Sequence, residues 1–124
     1  MVLWKKSISF EDELRQLAKA DTLAFGGVGI ASTLLPVTEA YLALEDALRL
    51  HGEQLRSRLE QLLDTATPAG RLYAAQLLTR LDEAAGRAAW QRLAGQRDEV
   101  RTFSGCIMGS TTVGRYAEER LGPA

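Results

Sequence analysis

Thr67-Pro68-Ala69-Gly70-Arg71-Leu72-Tyr73-Ala74-Ala75-Gln76-Leu77-Leu78-Thr79-Arg80-Leu81-Asp82 reads as one short buried helix with its start clearly marked. Thr67 can accept from the first free N–H groups, and Pro68 suits the first helical position, where its missing N–H costs nothing. Leu72, Tyr73, Leu77, Leu78 and Leu81 form a wide apolar stripe. Ala74 and Ala75 let a neighbouring helix come close. The strongest signal in the chain therefore concerns packing between helices.

Working outward, the flanking segments repeat that theme. A first helix is expected from about Phe10 to Ala20, with Leu14, Leu17 and Ala18 inward and Glu11, Asp12 and Glu13 suited to the dipole at its start. Val37, Ala40, Tyr41, Leu44, Ala47 and Leu48 keep a helical period in a second helix that starts at Pro36 and stops near His51-Gly52. A third runs from about Glu53 to Thr65 with Leu55, Leu59, Leu62 and Leu63 inward. The Pro68 helix is the fourth. A fifth follows Asp82 as cap, carries Ala85, Ala88, Ala89, Trp90 and Leu93, and ends before Gly95. Val100 to Gly109 has β-branched and aromatic residues without a helical period, so an extended segment or a hairpin arm is expected there. A last helix covers about Thr112 to Leu121. Leu23 to Leu35 is glycine-rich and apolar, and reads as a buried loop or a short helical turn.

The predicted fold is all-α: a single domain over residues 1–124, built as a compact bundle of five to six short helices, with residues 1–9 as an N-terminal extension. Helices two to five would be antiparallel by loop length, so HEAT-like helical hairpins are an expected form, although no clean internal repeat aligns.

Bulk properties narrow the function. The chain has 124 residues, 46% hydrophobic and 25% charged, with a formal net charge of −1. That length can bury a core without disulfides or metal, and the balanced charge supplies no field for nucleic acid or an anionic membrane. One cysteine, Cys106, and one histidine, His51, cannot make an internal disulfide or the usual zinc ligand set. Thr22 to Thr38 carries no charge, but it is short for a span and holds Gly26, Gly27, Gly29 and Pro36. Ser7 to Leu14 holds three acids and no apolar run, so no ordinary signal peptide is read there. A cytoplasmic protein with no membrane span is expected.

Three landmarks carry a family likeness: Phe25-Gly26-Gly27-Val28-Gly29 followed by Ile30-Ala31, the TPAG-[RK]-LY-A block at Thr67 to Ala74, and Gly105-Cys106-Ile107 followed by Thr112-Val113. In these the chain resembles a group of uncharacterised bacterial helical proteins. The likeness spans roughly residues 23–117 and implies a helical fold without implying an activity. Members of the group often begin with an export or lipoprotein leader.

Candidate chemistry is sparse. Cys106 would need a base and a lowered pKa to act as a nucleophile, and His51 is the only histidine; the other reading is a small apolar residue in a glycine-flanked turn. Gly26-Gly27-Val28-Gly29 lacks the lysine of a phosphate loop and the preceding strand of a dinucleotide fingerprint. Glu11-Asp12-Glu13, Glu45-Asp46 and Glu118-Glu119 read as solvated helix faces, Glu45 with Arg49 as an i,i+4 pair. Arg80, Arg87, Arg92, Arg97 and Arg101 form a basic series interleaved with acids, which argues against a nucleic-acid face. Trp90 either fills the core edge or anchors a partner, since aromatic residues concentrate in interface hot spots. Trp4 is a second candidate anchor, and Phe25 and Ile30 are candidates if their segment is exposed.

The expected function is a non-enzymatic protein-interaction module, with toxin neutralisation (an immunity protein) or adaptor work as concrete forms. No cofactor and no metal are expected. The partner would be another protein, and a homodimer could also complete the apolar helix faces. The alternative is a small-ligand-binding protein or a cysteine-dependent enzyme centred on Cys106.

Overall fold

The computed structural model describes residues 10–122. Its elements run α1 (Glu11–Ala18), β1 (Thr22–Leu23), α2 (Pro36–Thr65), α3 (Pro68–Leu81), α4 (Glu83–Leu93), β2 (Glu99–Ser104), β3 (Ile107–Thr112) and α5 (Val113–Leu121). The fold is dominated by helices but is not all-α: the strands form one sheet in the order β1-β2-β3. β1 pairs parallel with β2, Thr22 opposite Arg101, and β2 pairs antiparallel with β3 from Glu99–Thr112 to Ser104–Ile107. The extended segment expected near residues 100–109 is thus a full hairpin. It turns at Gly105-Cys106, where Gly105 has φ of 59°, and glycine is favoured at the first central position of a II′ turn.

α3 is the hub. It contacts all four other helices and strands β1 and β2, and Leu72, Tyr73, Ala74, Ala75 and Leu77 are completely buried. The residues at its start are structural clamps. Thr67 Oγ1 accepts from Gly70 N at 3.2 Å, and it donates to Ala20 O, while Thr67 N donates to Ala18 O. A Cβ at Gly70 would collide with the Leu17 carbonyl oxygen, so only glycine lets α1 lie this close to the start of α3. Arg71 reaches the other way: Nε donates to Ala66 O at 3.0 Å, and Nη1 donates to Gln96 Oε1 at 2.9 Å and Asp98 Oδ2 at 2.7 Å. Residues Gln96 and Asp98 in turn receive α5, whose Val113 and Gly114 N–H groups donate to their carbonyls.

One boundary differs from the sequence reading. The second and third expected helices are a single 30-residue helix, α2, bent at His51, whose φ of −125° and ψ of 19° are the only non-helical angles inside it. Gly52 does not cap a C-terminus. It leaves room for Leu81 Cδ1, which a Cβ would strike. With neither proline nor turn chemistry between His51 and Glu53, the helix bends and continues, so helices two and three do not form an antiparallel hairpin. The structure has five helices among the described residues. Asp82 caps α4 as its position suggests, its carboxylate accepting from Ala84 N at 3.0 Å. α3 and α4 touch where Gly86 lies on Thr79.

Candidate functional site

The Leu23 to Leu35 segment, read as a buried loop or helical turn, begins as a strand and ends as a small exposed loop. Its first half is pinned. The Ala24 N–H donates to Tyr73 Oη at 2.7 Å, and the Tyr73 hydroxyl donates back to Ala24 O at 2.8 Å. Thr38 Oγ1 donates to the same carbonyl at 2.7 Å. Phe25 is half-buried, in edge contact with Tyr41 and Tyr73 at centroid distances of 5.0 and 5.2 Å. Burial pushes both tyrosine phenols above their ordinary value, and Glu45, which accepts from Tyr41 Oη, raises Tyr41 further.

Its second half is a loop closed by two backbone bonds between Val28 and Thr33. Ser32 takes a left-handed φ of 53°, and the Ser32 backbone packs where a Cβ on Gly27 would sit. The loop docks on the hairpin turn: Gly29 N donates to Gly105 O at 2.7 Å. The three landmark motifs are therefore linked by direct contacts. Phe25 of the FGGVG segment meets Tyr73 of the TPAG block edge-on, and Gly29 hydrogen-bonds to the glycine of the Gly-Cys-Ile turn.

Two surfaces result. One is an apolar rim: Ile30 is 98% exposed at the loop tip, and Ile107 and Met108 are 73% and 61% exposed just past the turn. Ile107 and Met108 open β3, which among the described residues has β2 as its one strand neighbour and no strand on its other edge. Ser104 to Gly114 carries neither charge nor proline, the devices that normally blunt such an edge. The other surface is a cleft of about 310 Å³ between the Phe25–Gly27 stretch, β2 and α5, with Tyr116 and Arg120 on its α5 side.

The remaining candidates fall elsewhere. Trp90 is 3% exposed and packs against Tyr116 at 5.8 Å; its ring belongs to the core and cannot meet a partner in this arrangement. Trp4 lies outside the described residues. Cys106 is exposed at the hairpin turn, while His51 sits at the α2 bend with its ring 5.7 Å from Phe10. No hydrogen bond joins the two among the described residues. Glu45 pairs with Arg80 at 2.9 Å rather than with Arg49, and Arg92 pairs with Asp64, so part of the arginine series is neutralised across helices. Among the described residues no group of three or more His, Cys, Asp or Glu is placed to hold a metal ion, and no helix is long and apolar enough to cross a membrane. The sequence reading missed β3 as an edge and Arg120 as a cleft residue. The uncharged run from Ser104 to Gly114 was a readable signal for the first; nothing in sequence placed Arg120 beside Gly26.

Comparison of the chain with protein-family models, curated proteins and solved structures finds no match.

Proposed function

We propose that the protein is a non-enzymatic interaction module that takes an extended segment of another protein along the free edge of β3. The observation that carries this reading is the edge itself: six residues, Ile107–Thr112, without charge or proline, with Ile107 and Met108 exposed and the Ile30 loop hydrogen-bonded to the turn that precedes them. An added strand gains backbone hydrogen bonds along such an edge, and side-chain pockets on alternate positions give selectivity. The partner that suits it is a strand of low charge with apolar residues. Toxin neutralisation and adaptor work are both forms of this activity. A cysteine-dependent enzyme draws less support, because Cys106 lies on an exposed turn and His51 sits away from it at the α2 bend, with its ring against Phe10.

The test is capture from the native cell with wild-type and Met108→Lys baits, read by mass spectrometry. A single stoichiometric partner, lost with Met108→Lys while the circular dichroism and melting curve stay unchanged, is the expected result. Hydrogen exchange on the purified complex should then slow at the β3 amides. Equal capture by both baits, or protection confined to other elements, would overturn the edge reading.

A further inference from the structure

The cleft beside Gly26 points to a second kind of recognition. We infer that it binds a carboxylate carried on an aromatic or apolar body. Its walls are Phe25, Phe103 and Tyr116, and its polar groups are the backbone of Gly26 and Gly27 and the guanidinium of Arg120. Among the described residues no acceptor takes the Gly26 or Gly27 N–H. Arg120 lies over the Tyr116 ring, 4.4 Å from its centroid, and donates to Tyr116 Oη at 2.7 Å. That contact fixes the guanidinium while using one of its five N–H donors. Arg120 has no carboxylate partner among the described residues, and no acidic residue lines the cleft.

Magnitudes favour one small anion. The cleft volume of about 310 Å³ is at the lower end of the range for ligand pockets, where apolar walls and a few placed polar groups are the rule. One guanidinium with free backbone N–H groups balances a single negative charge, and a planar carboxylate matches its fork of donors. A doubly charged phosphate would leave one of its charges without a cationic partner among the cleft residues. A groove beside α1, about 590 Å³, does not compare: Asp12, Arg15, Lys19 and Asp21 mix both signs there, and Arg15 already pairs with Asp12 at 3.0 Å.

The same chemistry is carried by a free aromatic acid and by the C-terminus of a partner chain ending in an aromatic residue. The inference is independent of the strand-edge reading, because no residue of β3 lines the cleft.

Backbone amide NMR of the full chain tests it. Phenylacetate, N-acetyl-phenylalanine, N-acetyl-phenylalanine amide and a six-residue peptide ending in phenylalanine are titrated in turn. The acids should give saturating shifts at the Gly26 and Gly27 amides, and the neutral amide should bind about tenfold more weakly or worse. Arg120→Gln, on an exposed side chain, should weaken the acids by a similar factor with the rest of the spectrum unchanged, and Arg120→Lys should lose less. A peptide that binds about tenfold tighter than phenylacetate identifies a chain terminus as the source, and equal binding identifies a free acid. No saturating shift at these two glycines up to about 10 mM acid, or equal response to acid and amide, would overturn the inference.

Discussion

Tyr73 does more for this molecule than fill space. Its hydroxyl bonds both the N–H and the C=O of Ala24 in a buried position; Thr38 still serves the carbonyl, so Tyr73→Phe strands the Ala24 N–H and should cost about 1–3 kcal/mol in urea unfolding. The raised phenol values of Tyr41 and Tyr73 give this cluster a pH signature. A phenol whose folded value lies above its unfolded value, about 10, stabilises fully below that pH. The contribution is lost as pH rises through the higher folded value. Denaturant midpoints should therefore fall above about pH 10, and Tyr41→Phe should flatten that limb. Trp90→Ala, which the sequence left open between core and interface, should cost about 3–5 kcal/mol as a truncation in a packed site. Cys106→Ser should change stability by less than about 0.5 kcal/mol, and thiol reagents should label Cys106 rapidly in the folded protein because it is exposed.

At the scale of elements, glycines mark where helices touch. A Cβ on Gly86 would enter the backbone of Thr79, whereas one on Gly26 would meet nothing within 4 Å. Gly86→Ala should separate α3 from α4 and cost about 1–3 kcal/mol, while Gly26→Ala stays within about 0.5 kcal/mol of wild type; thermal melting of the two distinguishes them. This contrast also shows what a sequence can reveal. Thr67 and Asp82 announce helix starts because capping is local chemistry, and both caps are made. The apolar stripe of α3 is equally local. The fate of His51-Gly52 is not: the same pair serves a helix end or a bend, and Leu81, far along the chain, decides between them by occupying the space over Gly52. β1 is two residues long, too short for any periodic signal, and exists because β2 arrives beside it. The cleft was illegible for the same reason, since Phe25, Phe103 and Arg120 meet only through that pairing and through Arg71, which fixes the approach to α5.

At the scale of the whole molecule, contacts join segments far apart in sequence. Thr22 faces Arg101, and Gly29 bonds to Gly105, so α2, α3 and α4 form one long closed loop of chain between paired strands. Closing a loop of that length carries an entropic cost that local helix contacts do not. In refolding experiments the helical signal at 222 nm should therefore recover ahead of amide protection in β1 and β2, and simultaneous recovery in pulse-labelled exchange would contradict this order. The same topology has a consequence during synthesis. β1 and the uncharged stretch behind it are made before their partner strand, which emerges only after three helices have been made. Until then the segment can dock only on the helices, through Ala24 and Phe25 against Tyr41 and Tyr73, while the backbone of β1 waits for its strand partner.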